Sequence, residues 1–307
     1  MLKENIYIYA FYRFKKLKNT GIIKKKLDKF TKEKIIMGTI LLANEGINGT
    51  ISGTRKNLDE TIIQIKKILK INKISLKISN NEFVPFYRLK IRLKKEIVTI
   101  GDKSINPEKI SGRYILPSKW DKIINDNKYL IIDTRNEYEV NIGTFENSIN
   151  PKMKTFKDFP KYIKKSMMDK EQPIAMFCTG GIRCEKASSY LISNGFKDVC
   201  QLDGGILNYL EYKKNKKNKT WNGECFVFDN RVSVDKNLKK GSHDQCYGCR
   251  HPITEKDKKL DSYIKGASCK YCIGKKTKEK ISASIVRQKQ IDLAEKRKSK
   301  HSFKKIY

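Results

Sequence analysis

From residue 5 to residue 14, apolar and aromatic residues alternate with polar ones, the two-residue period of a half-buried strand. Residues 20–34 place Lys, Leu and Phe at helical spacing. The run 35–43 is almost continuously apolar and reads as a buried strand. Asn44-Glu45-Gly46 is a turn signal, and a further strand starts at Ile47. Leu58, Ile62, Ile65 and Leu69 then recur with the three-to-four-residue step of an amphipathic helix, and 74–79 alternate again. The order β-α-β-β-α-β predicts a split, ferredoxin-like α+β unit. Residues 83–100 carry Phe83, Phe86, Tyr87, Leu89, Ile91 and Leu93 among Lys and Arg, which reads as a β-rich connector. The stretch 101–117 has turn residues and no firm period, and reads as a linker.

The pattern then changes. The runs 129–133 and 174–177 are short and continuously apolar, as in strands buried on both faces of a parallel sheet. Helix-forming residues lie between them, 185–194 reads as a helix stopped by Gly195, and 199–202 is another short strand. This alternation predicts an α/β domain with a parallel sheet. A Lys/Asn-rich hinge follows at 213–220, then a Cys-rich stretch to Cys272 and a basic tail to Tyr307. The expected organisation is a ferredoxin-like domain with its connector at 1–110, a parallel-sheet domain at 124–218, a Cys-rich segment at 222–275 and a tail at 276–307.

Charge adds a partner class. The net charge of +34 over 307 residues makes a polyanion the default partner, through long-range attraction and counterion release. The same Lys-, Ile- and Asn-rich composition also follows from an AT-rich genome, so two readings of the charge stay open. No run reaches the ~18 apolar residues of a membrane span, and the first residues lack a signal-peptide layout. A cytoplasmic protein with no membrane association and no stable protein partner is expected. In that compartment the eight cysteines are thiols or metal ligands rather than disulfides.

The candidate reactive centre is Cys178, which directly follows the strand 174–177. The residues after it, Thr179, Gly180, Gly181 and Ile182, form a short Gly-rich loop able to turn its amides toward one anion. The helix beyond adds its positive end, and Arg183 supplies a fixed cation. Together these stabilise a thiolate or persulfide. Cys184 reads as a helix residue, with a role in resolving an oxidised Cys178 as the alternative. Cys200 reads as core.

Cys246, Cys249, Cys269 and Cys272 form two C-x2-C pairs, the spacing of a zinc ribbon. A closed structural Zn²⁺ site is expected there, holding together a segment too small for its own core.

The segment Cys178-x-x-Gly181-x-Arg183 resembles the active-site loop of the rhodanese superfamily. Asp133-Thr134-Arg135-x-Glu137-Tyr138-Glu139 resembles the Asp-x-Arg segment of the same superfamily, and Leu202-Asp203-Gly204-Gly205 its closing loop. The resemblance implies a persulfide on Cys178, with Asp133 and Arg135 as scaffold. The run from Leu42 to Thr50, the continuation Cys184-Glu185-Lys186-Ala187-Ser188 and the order of parts are similar to the bacterial tRNA uridine hydroxylase family over residues 5–275. That resemblance implies an oxidoreductase of the 1.14 type. It would convert the wobble uridine of tRNA to 5-hydroxyuridine, with molecular oxygen as co-substrate and the anticodon loop as partner. Two routes stay open, thiolate addition at C6 of uracil and an oxygen carried on the Cys178 sulfur. The alternatives are a sulfurtransferase using the same cysteine and a non-catalytic tRNA-binding scaffold. Asn44-Glu45-Gly46-Ile47-Asn48-Gly49 reads as a plain hairpin or as a contact to RNA or the Cys178 loop. Phe86-Tyr87-Arg88-Leu89-Lys90 interleaves rings with cations, as an RNA-facing surface or simply an exposed strand.

Overall fold

The computed structural model describes residues 6–216 and 220–297. The hinge residues 217–219 and the end of the basic tail lie outside the described residues. The first layer is built by β1 (Ile6–Phe14), α1 (Thr20–Thr31), β2 (Ile36–Ala43), β3 (Gly46–Gly53), α2 (Arg55–Leu69) and β4 (Ser75–Asn81), in the predicted order. The connector contributes β5 (Leu89–Leu93), which pairs parallel with β2 and makes a fifth strand. The sheet order is β4-β1-β3-β2-β5.

One face of this sheet carries the helices. Leu58, Ile62, Ile65 and Leu69 of α2 and Leu27 of α1 are buried against Tyr9, Phe11, Ile40 and Ile51. Burying a side chain of this kind fully contributes roughly 1.5–3 kcal/mol. The Thr54 side chain accepts from the Asn57 amide and caps the start of α2. Strand alternation turns Ile8, Ala10 and Tyr12 of β1 to the opposite face, and these three line a cavity shared with the second domain.

The second layer comprises β6 (Arg113–Ile115), α3 (Pro117–Ile124), β7 (Leu130–Asp133), α4 (Glu137–Val140), β8 (Gly143–Phe145), β9 (Ser148–Ile149), α5 (Phe159–Ser166), β10 (Ile174–Phe177), α6 (Ile182–Ser193), β11 (Val199–Leu202) and α7 (Gly205–Lys213). Its parallel sheet has the order β6-β11-β10-β7-β9. Strand β6 lies inside the stretch read as linker, because three residues are too short to show a period. Both faces are covered, which is why β7 and β10 are continuously apolar. Trp120, Tyr209 and Leu210 of α3 and α7 pack on one side. Phe159, Ile163, Tyr190 and Leu191 of α5 and α6 pack on the other.

Past the hinge, the chain returns to this domain. Strand β12 (Trp221–Gly223) pairs antiparallel with β8, and Trp221, Cys225, Val227 and Val234 join the core around Phe145. Next come β13 (Cys225–Phe226), β14 (Ser233–Val234), β15 (Asp244–Gln245), β16 (Pro252–Ile253) and α8 (Lys278–Lys296). Among the described residues, no helix is long and apolar enough to cross a membrane.

Candidate functional site at Cys178

Strand β10 is fully buried and delivers Cys178 at its carboxyl end, the edge of a parallel sheet where sites gather. Helix α6 starts at Ile182, three residues earlier than its apolar pattern suggests, because Gly181 supplies the left-handed N-cap at φ +97°. The Gly181 amide donates to the Cys178 Sγ at 3.1 Å. From behind, the amides of Ile206 and Leu207 donate to the carbonyls of Cys178 (2.9 Å) and Thr179 (3.1 Å). These are the first-turn amides of α7, and they need close approach. A Cβ on Gly205, at φ +67°, would lie 2.4 Å from the Cys178 carbonyl oxygen. The Asp203-Gly204-Gly205 segment is therefore a steric requirement of the cysteine loop.

Burial alone would push the Cys178 thiol pKa up, yet it falls from the ordinary 9.0 to about 6. A hydrogen bond from the Cys184 thiol, the Arg183 charge and the backbone amides of Cys184 and Arg183 outweigh the desolvation. Cys184 moves the other way, held protonated by burial and by the neighbouring thiolate. Its sulfur also lies 3.5 Å from Thr134 Oγ1. Cys184 is thus the protonated neighbour that favours the Cys178 thiolate, an influence its sequence position did not disclose.

Arg183 is itself clamped. Its Nη1 and Nη2 donate to Glu139 at 2.6 and 2.7 Å, a bidentate pair in a buried setting. Glu139 lies in the segment that resembles the Asp-x-Arg region of the rhodanese superfamily, and the sequence assigned it no role. Burial would raise its pKa, but the Arg183 charge and hydrogen bonds bring it below the usual carboxylate range. Asp133 and Arg135, both fully buried, also pair with each other. Arg135 Nη2 reaches the Gly143 carbonyl at 2.6 Å and Thr144 Oγ1 donates to Asp133 at 2.8 Å. This ties the end of β7 to β8, the geometry of a brace.

The N-terminal domain docks onto the start of α6. Lys186, only 1% exposed, bridges Glu45 at 2.7 Å and Glu96 at 2.6 Å. Glu45 also accepts from the Ile97 amide, and Asn48 Nδ2 donates to the Ile97 carbonyl. The run around Glu45 is a hairpin, with Gly46 at φ +146°, and it also touches the helix that follows the cysteine loop. Tyr12 donates to Glu185 at 3.0 Å, as does Tyr114 at 2.8 Å. Between the two domains lies a cavity of about 930 Å³ that includes Cys178, Thr179, Gly180 and Tyr12 on its wall. Phe228, from beyond the hinge, also lines it and is 60% exposed, its ring beneath the Arg183 guanidinium at 5.8 Å. Of the mixed run Phe86 to Lys90, Phe86 reaches the cavity, Tyr87 and Arg88 are exposed, and Leu89 opens β5.

The four cysteines of the C-terminal segment converge. Cys246 and Cys272 sulfurs are 3.9 Å apart, Cys249 and Cys269 3.7 Å, and Cys269 and Cys272 4.0 Å. A tetrahedron of thiolates with metal–sulfur bonds of about 2.3 Å requires roughly 3.8 Å between sulfurs. All four sulfurs lie within 4.8 Å of one another and fit a bound metal ion. Of the two histidines flanking the first cysteine pair, His243 hydrogen-bonds with Glu224 at 2.7 Å and His251 stacks on Tyr271.

Residues 6–97 match the family described as the UPF0176 acylphosphatase like domain, and 116–212 match the Rhodanese-like domain. A tRNA uridine(34) hydroxylase of Pelagibacter ubique (strain HTCC1062) is 49% identical over 301 residues, 98% of this chain and 99% of that protein. Among solved structures, a rhodanese-related protein from Thermoplasma volcanium is 24% identical, over 33% of this chain and 92% of that one, with TM-score 0.28. A Staphylococcus aureus rhodanese-like domain protein is 23% identical, over 32% and 90%, with TM-score 0.27.

Proposed function

The chain belongs to the tRNA uridine(34) hydroxylase family, and on that premise we propose that it converts the wobble uridine of tRNA to 5-hydroxyuridine in the cavity at Cys178. The observation that carries this reading is a thiol with its pKa lowered to about 6, opening into an interdomain cavity large enough for a nucleotide. A wobble base belongs to a single-stranded loop and can be splayed into such a cavity and stacked on a ring such as Phe228.

In this proposal Cys178 is the reacting sulfur. The thiolate either adds to C6 of uracil, sending the C5–C6 π electrons toward the C4 carbonyl and leaving C5 electron-rich, or carries a persulfide. The Gly181 amide and the first turn of α6 hold the negative sulfur in both cases. Cys184 donates to it, and Glu139 keeps Arg183 in place beside it. Asp133 and Arg135 act as scaffold. Molecular oxygen is the proposed co-substrate, one atom going to C5 and the other leaving as water on two electrons and two protons from an external reductant, which makes the enzyme an oxidoreductase of the 1.14 type. Zn²⁺ is the proposed metal of the four-cysteine site, as a structural ion. The cytoplasm, where tRNA is used, is the proposed location.

The test is nucleoside mass spectrometry of tRNA from a deletion strain carrying either the wild-type gene or Cys178→Ser. Wild type should restore 5-hydroxyuridine and the variant should not. Full modification with Cys178→Ser would leave the domain a binding scaffold. The same anion cradle suits a persulfide, so loss of a thiolated nucleoside instead would identify a sulfurtransferase.

A further inference from the structure

Three basic side chains with substantial burial lie on the wall of the Cys178 cavity, and two are neutralised inside the chain. Arg183 is clamped by Glu139, and Arg231 pairs with Asp229 at 2.7 Å. The third, Lys77, stands on β4 opposite Ala10 of β1. It makes no hydrogen bond and no ion pair among the described residues, and it is half-buried. Its Nζ lies over the loop that backs Cys178: a Cβ built on Gly204 would be 2.4 Å from it. Burial lowers its pKa, and the more distant Asp203 carboxylate offsets this only in part.

An ammonium drawn out of water without a counter-charge destabilises the free protein. A neutral carbonyl leaves that charge uncompensated, whereas an anion arriving with the substrate neutralises it. A nucleotide brings one such anion, its phosphodiester. We propose that Lys77 pairs with a backbone phosphate oxygen of the nucleotide whose base enters the Cys178 cavity. This rests on reading the site as one for tRNA. It makes Lys77 the cavity's RNA-binding cation, while Arg183 serves the thiolate.

The experiment compares wild type, Lys77→Met and Lys77→Arg for binding of an anticodon stem-loop RNA with uridine at the wobble position, across a range of salt. Lys77→Met should weaken binding on the order of tenfold at low salt and flatten the slope of log K against log[salt] by about 0.7. Lys77→Arg should keep both. The pH profile of Cys178 alkylation should not move in either variant. Removing an uncompensated charge should leave the melting temperature unchanged or raised. Wild-type affinity and slope in Lys77→Met overturn the inference, as does a marked drop in its melting temperature, which would mark a structural role. A defect confined to thiosulfate-dependent sulfur loading of Cys178, with RNA binding intact, assigns Lys77 to a small sulfur oxyanion instead and also overturns it. If the wild-type protein does not bind the RNA, the reading of the site itself fails with it.

Discussion

Alkylation of Cys178 across pH tests the electrostatics of the loop directly. Iodoacetamide is uncharged, so its rate follows the thiolate fraction and access to the sulfur. Access is poor, since Cys178 is only 1% exposed, but it cancels in a ratio of rates at two pH values. With a pKa of about 6, the thiolate fraction rises from about one-tenth at pH 5 to nearly all at pH 8, roughly an elevenfold gain. With the ordinary 9.0 the same interval gives about 900-fold. The sign follows from a depressed pKa: reactivity is full above it and lost as pH falls through about 6. Peptide mapping by mass spectrometry separates Cys178 from the other seven cysteines. Cys184→Ala removes the hydrogen bond that most lowers the thiol pKa, so its midpoint should move up and the ratio should steepen. A wild-type rate still climbing steeply past pH 8, or a midpoint unmoved in Cys184→Ala, refutes this account of the thiolate.

Three further outcomes are expected. Lys186→Met leaves Glu45 and Glu96 facing each other without their shared cation, at a cost of about 3 kcal/mol; an unchanged melting temperature would remove the pair from the docking of the two domains. Gly205→Ala forces a Cβ against the Cys178 carbonyl at a positive φ, so hydroxylation should fall sharply in a folded protein, and full activity would show that the loop yields. Purified protein should carry one zinc per chain by elemental analysis, and chelation should expose residues 246–272 to protease while the Cys178 alkylation profile stays fixed. A segment equally resistant with and without metal would contradict a structural ion.

The periodic elements were legible because burial is periodic. Strand β1 alternates since one face meets α2 and the other meets the cavity, and β10 is uniformly apolar since helices cover both faces. Pairings between distant, short segments were not. Strand β5 joins β2 across an intervening helix and two strands, and β12 returns to β8 past a polar hinge. No local pattern encodes such partners. The site divides in the same way. Cys178, Gly181 and Arg183 are neighbours in sequence, so their loop could be read. Glu139 reaches Arg183 from 44 residues away, and Lys186 meets Glu45 across two domains. A lone acid or lysine in so charged a chain carries no signal until the fold supplies its partner.

That division bears on what determines the substrate. The groups that lower the thiol pKa — the Cys178 loop, Cys184 and Arg183 on α6, with Glu139 on α4 behind it — all belong to the parallel-sheet domain. They would serve any sulfur chemistry. Much of the cavity wall comes from other parts of the chain: Ile8, Ala10 and Tyr12 on β1, Lys77 on β4 and Phe228 beyond the hinge. Changes on those walls should therefore alter which RNA binds while leaving the Cys178 titration in place. Changes at Glu139 or Cys184 should move that titration and leave RNA affinity nearly constant. A variant of Phe228 that shifted the titration as far as Cys184→Ala does would show that the two roles are not separable in this fold.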